Sequence, residues 1–301
     1  MTTRSLTAPV PGSRVRRRVS AVVLPAALLV GCTATPPDPE PQPEGAPSSA
    51  PAALAAGHVH GVGVDPGDGA LLVATHDGLL RLPADGDAVP VGPVMDLMGF
   101  TVAGPGHFLA SGHPGPDVDL PQPMGLIEST DGGRTWSPVS RQGESDFHAL
   151  TAGAAGVLGY DGTLVRSSDG STWEQLAIPA EPHTLTASPD GQLALATTAR
   201  GLLRSTDGGR TWAAVDAAPL LQVVDWADEG ADVAGVDPSG VLWTSSDGGS
   251  SWQEGPGLGA APQAVTLAGT GEGASRIVVA TATELVESVD GGRTFDVVAE
   301  W

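Results

Sequence analysis

The octet STDGGRTW occurs twice without a change, at Ser129–Trp136 and at Ser205–Trp212. Three looser copies keep the same order of residues: SSDGSTW at Ser167–Trp173, SSDGGSSW at Ser245–Trp252 and SVDGGRTF at Ser288–Phe295. The aspartates of the five copies are separated by 38, 38, 40 and 43 residues; they are Asp131, Asp169, Asp207, Asp247 and Asp290. A period near 40 residues is typical of a repeat architecture in which each repeat forms one structural unit.

Each copy lies between two short apolar runs, as in GLIESTDGGRTWSPV and GLLRSTDGGRTWAAV. Apolar runs on both sides of Asp-Gly-Gly predict a β-hairpin, because glycine readily adopts the positive φ angles of tight turns. The aspartate side chain can accept hydrogen bonds from the turn amides, and the Ser and Thr hydroxyls can join that network. We expect the tryptophan to pack against the neighbouring repeat. The repeated octet therefore indicates a structural turn.

The pattern Ser-x-Asp-x-Gly-x-Thr-Trp resembles the Asp-box, or BNR repeat, of β-propellers, which include sialidases and related glycosidases. The resemblance implies that each box joins the third strand (c) of a blade to its fourth strand (d). Spaced by the boxes, residues 58–301 divide into six blades of about 41 residues. The first blade would have a degenerate box at residues 84–87. The predicted fold is therefore all-β: a six-bladed β-propeller with four-stranded blades and Asp-box hairpins.

The N-terminal segment predicts export. Residues 1–31 have the order of a signal peptide: arginines at positions 14 and 16–18, then an apolar run over 21–30 that is too short to span a membrane. The run ends at Leu29-Val30-Gly31-Cys32, which resembles the lipobox of bacterial lipoproteins and implies a lipid on Cys32, the only cysteine of the chain. Residues 32–57 are rich in Pro and Ala and predict a disordered tether. We expect a protein held on the outer side of the cell membrane; both the Sec and the twin-arginine routes are open.

The charge of the chain excludes one class of partner. Five of the 14 basic residues lie in residues 1–32, so nine basic residues remain against 35 acidic ones, a formal charge of −26. Such a surface repels nucleic acid, so no nucleic-acid partner is expected. With one cysteine, the predicted domain at 58–301 has no disulfide and depends on packing for its stability.

The propeller resemblance also sorts the residues by face. In Asp-box propellers the d–a and b–c connections lie on one face, here called the site face, and the boxes and a–b turns lie on the opposite box face. Six of the seven histidines map to the site face, at the starts of strands a or the ends of strands b. With two aspartates and the single tyrosine they are the predicted ligand-binding residues: His58, His60, His76, Asp96, His113, Asp146, His148, Tyr160 and His183.

A subset of these residues suggests a metal site. Imidazoles suit copper and zinc, and thioethers nearby would favour Cu(I). The predicted metal ligands are His60, His76, His113 and His148, with Met95 and Met98. An alternative stays open, in which the histidines satisfy turn hydrogen bonds and the methionines fill gaps in the core. The ligand also stays open among a metal ion, a small molecule, a glycan and a protein. The long b–c loop of blade 2, residues 111–125, is expected to cover the channel.

The arginines argue against a sialidase. The sialidase resemblance would imply three arginines that clamp a carboxylate, yet only Arg141 and Arg200 map to the site face. We therefore expect no release of sialic acid. A glycoside hydrolase that uses two carboxylates stays an alternative.

From Cys32 to the C terminus the chain resembles small bacterial lipoproteins named glycosyl hydrolase or exo-α-sialidase. The stretches that carry this resemblance are HVHGVGVDP, VATHDGLLRL and DLMGFTVAGPGHFLASGHPGP. The sequence thus predicts a tethered ligand-binding or scaffold lipoprotein, of which a metal-handling protein is a special case.

Overall fold

A computed structural model describes residues 57–84, 86–269 and 275–301, which form six antiparallel sheets of four strands. In every sheet the strands pair in chain order, from a to d. The six-bladed, all-β propeller is therefore confirmed. No helix in this described part has the length and hydropathy needed to cross a membrane. The predicted signal peptide, Cys32, the tether up to residue 56 and Asp85 of the degenerate box lie outside the described residues.

The strand boundaries follow the spacing of the boxes closely. Blades 1 and 2 consist of β1 (Val59–Val64), β2 (Leu71–Thr75), β3 (Gly78–Leu82), β4 (Val89–Val91), β5 (Asp96–Gly104), β6 (His107–His113), β7 (Leu126–Ser129) and β8 (Ser137–Ser140). Blades 3 and 4 consist of β9 (Ala149–Gly153), β10 (Gly156–Tyr160), β11 (Leu164–Ser167), β12 (Glu174–Leu176), β13 (Pro182–Ala187), β14 (Ala194–Thr198), β15 (Gly201–Ser205) and β16 (Ala213–Ala214). Blades 5 and 6 consist of β17 (Val223–Trp226), β18 (Val233–Val236), β19 (Val241–Ser245), β20 (Gln253–Gly257), β21 (Pro262–Gly269), β22 (Ser275–Thr281), β23 (Glu284–Ser288) and β24 (Asp296–Glu300).

The two identical octets form the same hydrogen-bond network. In the first, Asp131 Oδ1 accepts hydrogen bonds from Ser129 Oγ and from the Thr135 amide, both at 2.9 Å, and Oδ2 accepts from Thr135 Oγ1 at 2.6 Å. In the second, Asp207 Oδ1 accepts from Ser205 Oγ at 2.9 Å and from the Thr211 amide at 2.8 Å, and Oδ2 accepts from Thr211 Oγ1 at 2.7 Å. One aspartate thus closes each of these two c–d hairpins, as the sequence predicts.

The boxes also join neighbouring blades. A Cβ on the second glycine of a box would lie 2.5–3.1 Å from a leucine of the preceding blade, and these glycines have positive φ angles, so any other residue would be strained there. The glycine and leucine pairs are Gly133 with Leu79, Gly209 with Leu158, Gly249 with Leu195 and Gly292 with Leu242. The box aromatic residue packs against the same junction, for example Trp136 against the core of blades 1 and 2. The expected packing of the tryptophan on its neighbour is confirmed.

Each junction between blades has its own hydrophobic core, and the junction between blades 6 and 1 closes the ring. There Leu71 and Val73 of β2 pack against Val278 and Ala280 of β22. The Val59 amide donates a hydrogen bond to Gln263 Oε1 at 3.0 Å. Blades 1 and 6 share no strand, so side-chain packing and a few hydrogen bonds close the ring.

Candidate functional site

The innermost strands of the six blades surround a channel of about 1100 Å³. One position recurs at the site-face end of these strands, directly after a buried residue in every blade. The six residues at this position are His60, Met98, His148, His183, Gln222 and Gln263. In four blades the register of strands a and b shifts at this position, which is the signature of a β-bulge. Bulges commonly redirect a side chain beside a functional site.

Two of the six positions are structural. Gln222 Nε2 donates a hydrogen bond to the Pro262 carbonyl oxygen of the next blade at 2.7 Å. Gln263 Oε1 accepts one from the Val59 amide, again in the next blade. Gln263 lines the channel, as do the histidines and the methionine at the other four positions. The glutamines thus connect blades 5, 6 and 1, whereas blades 1 to 4 present metal-ligating side chains.

Three side chains converge at the boundary of blades 1 and 2. His60 Nε2 lies 3.2 Å from His76 Nδ1 and 3.5 Å from Asp96 Oδ1, and His76 Nδ1 lies 3.0 Å from Asp96 Oδ1. His58 is adjacent, since its ligand atom and those of His60 and His76 all lie within 4.8 Å of one another. These four residues are called the first histidine cluster below. Its residues come from three places: the start of strand a of blade 1, the end of strand b of blade 1 and the start of strand a of blade 2.

Burial controls the charge of this cluster. The His60 side chain is 8% exposed, and burial, together with repulsion from the neighbouring His76, lowers its pKa to about 4, although Asp96 opposes the shift. His60 is therefore neutral at pH 7, which is the form of imidazole that can bind a metal, and its Nε2 shares a hydrogen bond with His76 Nδ1. Asp96 Oδ1 is buried and close to both rings, yet neither approach is aligned as a hydrogen bond. A buried carboxylate oxygen without a donor is costly, so this position favours a cation.

A second histidine cluster lies at the boundary of blades 2 and 3. Asp146 Oδ2 lies 3.1 Å from His113 Nε2 and 3.3 Å from His148 Nε2. Asp146 directly precedes the buried Phe147, as Asp96 precedes the buried Leu97. His113 ends strand b of blade 2, and His76 directly follows strand b of blade 1. The aspartates and the strand-b histidines of the two clusters thus occupy equivalent positions in successive repeats. The clusters are adjacent because Asp96 and His113 pair across β5 and β6.

The predicted metal ligands are divided between the two clusters. The four histidines predicted as ligands of one metal ion separate into two pairs, His60 with His76 and His113 with His148. His58, His60 and His76 each offer a ligand atom within 4.8 Å of those of the other two. The methionines separate as well. Met95 is 1% exposed and packs in the core of blades 1 and 2, whereas Met98 lines the channel.

Two further predicted ligand-binding residues lie on the channel wall, and the long loop does not. Tyr160 and His183 both line the channel, and the Tyr160 carbonyl accepts a hydrogen bond from the His148 amide at 3.1 Å. The b–c loop of blade 2 was expected to cover the channel, but the described lining includes none of residues 114–125. Instead, Val118 and Leu120 pack on the core of blades 1 and 2.

The arginines at the site face are engaged in the fold. Arg141 Nη2 donates to Asp161 Oδ2 at 3.3 Å, and its guanidinium lies 5.8 Å from the centre of the Trp173 ring. Arg200 donates to the Pro179 carbonyl oxygen. Within the described part of the chain, no arginine lines the channel. A clamp of three arginines for a carboxylate substrate therefore finds no counterpart on this wall.

One channel-lining residue, Asp225, is not among the residues predicted from the sequence. Asp225 occupies the position in β17 at which four other blades have threonine, namely Thr101, Thr151, Thr186 and Thr266. Its Oδ1 accepts a hydrogen bond from Thr186 Oγ1 at 3.0 Å, and its Oδ2 accepts from Thr266 Oγ1 at 3.1 Å and from the Leu267 amide at 3.0 Å. Desolvation by burial raises the pKa of Asp225 to about 6 despite these donors. Aligning the six repeats would have revealed it.

Comparisons with known proteins agree with this architecture. Residues 127–138 match the family model described as BNR/Asp-box repeat. A 122-residue stretch, 36% of this chain, is 29% identical to the photosystem II assembly lipoprotein Ycf48 of Synechococcus sp. (strain CC9902). That stretch spans 37% of the relative, little more than a third of its length.

Solved structures share the fold at low sequence identity. A GH74 enzyme of Niastella koreensis superposes with a TM-score of 0.51 at 18% identity, over 79% of this chain and 37% of that one. A gluconolactonase of Xanthomonas campestris gives a TM-score of 0.59 at 13% identity, over 75% of this chain and 84% of that one. At these identities the likeness concerns the fold alone. Together with the repeated hairpins and the six sheets, it identifies the chain as a six-bladed β-propeller built on Asp-box repeats.

Proposed function

We propose that this protein is an exported, membrane-tethered propeller lipoprotein that binds one divalent transition-metal ion through His60, His76 and Asp96. One observation carries the proposal: the three potential ligand atoms lie 3.0, 3.2 and 3.5 Å from one another. Zinc bound tetrahedrally at 2.0–2.2 Å from nitrogen and oxygen separates its ligand atoms by about 3.3 to 3.6 Å. The three side chains therefore need only small movements to hold an ion.

The chemistry of the donors supports the same conclusion. Two imidazoles and a carboxylate suit Zn(II) and Cu(II), and neutral imidazole is the ligating form. A cation would also supply the partner that Asp96 Oδ1 otherwise lacks. Asp161, Glu181 and Asp225 line the channel, and the strongly acidic chain raises the local concentration of cations at its mouth.

The sequence of residues 1–57 supports export and tethering. A basic region is followed by an apolar run, by Leu29-Val30-Gly31-Cys32 and by a segment rich in Pro and Ala. The partly matching Synechococcus relative is itself named a lipoprotein. Its name also describes an assembly protein, and this favours a second candidate function, a scaffold that binds another protein at the site face. A glycoside hydrolase remains the alternative among enzymes, and a screen against a panel of glycosides tests it directly.

Metal titration tests the proposal. Metal-free full-length protein with Cys32→Ser, which removes the sole thiol, is titrated with Zn²⁺ and with Cu²⁺ by calorimetry. We expect one equivalent to bind. In His60→Ala/His76→Ala the affinity should fall at least about 100-fold, since two of three protein ligands are lost. The Asp96→Asn variant should lose affinity in the same direction.

The second histidine cluster provides a matched control. His113→Ala/His148→Ala removes two site-face histidines that also flank an aspartate, and it should leave the affinity unchanged. Equal and weak binding by the parent protein and both double variants would refute the metal site and make the histidines structural. Loss of binding in the control alone would place the ion at the second cluster instead.

A further inference from the structure

The proposed metal site leaves part of the coordination sphere open, and the following inference rests on that proposal. His60, His76 and Asp96 supply three ligand atoms, whereas a zinc ion takes four or five ligands. Structural zinc sites are closed by four protein ligands, and catalytic or exchanging sites keep one position for water or substrate. The residue that would decide between these two types is His58, the fourth member of the first histidine cluster.

His58 lies beside the three ligands at a distance too long for coordination in the present arrangement. Its ring centroid is 4.8 Å from that of His60 and 6.0 Å from that of His76. The ligand atoms of these three histidines spread over as much as 4.8 Å, against about 3.3 Å between neighbouring ligands of one tetrahedral ion. A change of side-chain rotamer is therefore needed before His58 can bind the same ion as His60 and His76.

The local structure allows that change. His58 is exposed and precedes the first strand, so no strand pairing fixes it. The next residue, Val59, is completely buried, and its amide is held by Gln263 Oε1 at 3.0 Å. An exposed side chain on an anchored backbone changes rotamer rapidly and at little cost. His58 can therefore swing towards the ion or away from it without disturbing β1.

The open side of the site adjoins a space large enough for a ligand. His58 and His60 both line the channel, together with Met98, His148 and His183. The channel volume of about 1100 Å³ slightly exceeds the range typical of small-molecule sites, so the channel has room for such a ligand. A molecule in this channel could therefore bring a donor atom to the position that His58 would otherwise take.

We infer that His58 is a displaceable fourth ligand of the metal ion. It occupies the fourth position when the channel is empty and yields it to an imidazole or carboxylate group of a small molecule that enters the channel. No bond other than the coordination bond forms or breaks. The protein would thus hold its ion in an exchangeable state and would recognise its ligand through the metal.

Cobalt(II) provides a spectroscopic test, with imidazole as the probe ligand. Full-length protein with Cys32→Ser is loaded with Co²⁺, and its visible absorption is followed while imidazole is added. We expect a saturable spectral change in the parent protein. His58→Ala should bind imidazole roughly tenfold more tightly, because the competing side chain is gone. His183→Ala, which removes another exposed channel histidine, should behave like the parent protein.

Failure of the proposed role of His58 can be distinguished from failure of the proposed metal site. A cobalt spectrum that does not respond to imidazole, or an equal imidazole affinity in the parent protein and His58→Ala, overturns the role of His58 and leaves the metal site intact. A protein that binds no cobalt, and shows no zinc or copper binding by calorimetry, overturns the proposed function together with this inference.

Discussion

A single carboxylate organises each Asp-box hairpin. In the box of blade 4, both oxygens of Asp207 accept hydrogen bonds, from Thr211 and from Ser205. The Thr211 hydroxyl and then its amide are the main reasons that the pKa of Asp207 falls from 3.8 to about 2. Because folding lowers this pKa, the box stabilises the fold above about pH 4, and that contribution is lost as the pH falls towards 2.

The first prediction concerns this carboxylate. Asp207→Ala leaves the Thr211 amide and two hydroxyls without their acceptor, so the melting temperature at pH 7 should drop by on the order of 5 °C. Calorimetry of the folded chain measures it. Asp216→Ala is the matched control, since Asp216 is exposed in the same blade outside the box. Equal melting temperatures for the parent protein and Asp207→Ala would show that the box does not depend on its aspartate.

At the scale of the strand, Asp225 joins three neighbouring blades. It lies on β17 and accepts hydrogen bonds from β13 through Thr186 and from β21 through Thr266 and Leu267. Its burial raises the pKa to about 6, so the protonated form is favoured by folding. The contribution of Asp225 to stability therefore decreases as the pH rises from about 4 to about 6.

The prediction for this strand compares two variants. Asp225→Ala removes the acceptor for three buried donors and should lower the free energy of unfolding by roughly 3 kcal/mol or more. Asp225→Asn keeps one acceptor oxygen and cannot ionise, so its stability relative to the parent protein should improve as the pH rises from 4.5 to 7. Urea unfolding at both pH values measures this. Glu229 is exposed in the loop that follows β17 and provides the control Glu229→Gln. A pH-independent difference between Asp225→Asn and the parent protein would contradict the pKa assignment.

The elements also show what the sequence could predict. Boxes, hairpins and apolar runs repeat within each blade, so local patterns predicted six blades of four strands, as the structure shows. The assignment of residues to the two faces came from the resemblance to Asp-box propellers. The bulges were not visible in the apolar pattern, and a one-residue shift decides whether a side chain faces the core or the channel. Met95 and Met98 illustrate this, because the first is buried in the core and the second lines the channel.

The pairing of the histidines was equally hidden. His76 meets Asp96 across the boundary between two blades, and His113 meets Asp146 across the next. The spacing of the boxes along the sequence placed all these residues on the site face. That spacing gives no information on the distances between side chains of neighbouring blades. The separation into two clusters therefore depends on how neighbouring blades are tilted and packed, which a single sequence does not specify.

At the scale of the whole protein, the expected anchor is Cys32. Cys32→Ala should shift the protein from the membrane fraction to the soluble fraction of the producing bacterium, because the lipid has no other attachment point. Gly31→Ala keeps a small residue before the cysteine and should remain membrane-bound as the control. Fractionation followed by mass spectrometry of the N-terminal peptide checks both. Equal retention of Cys32→Ala in the membrane would rule out lipid anchoring at this residue.

The junction of blades 6 and 1 has a consequence for how the ring can be built. Many contacts across it, such as the packing of Val73 on Val278, are of the same kind as those at the other junctions, and no strand crosses from one blade to the other. The ring therefore has no geometrically privileged starting point. A circularly permuted gene that begins at another blade boundary, with a short linker from Trp301 back to residue 57, would encode the same set of interfaces. The ring therefore depends on the number of blades and on the interfaces between them, and not on which blade comes first in the chain. Whole blades are the natural units in which such a protein is duplicated, shuffled or replaced.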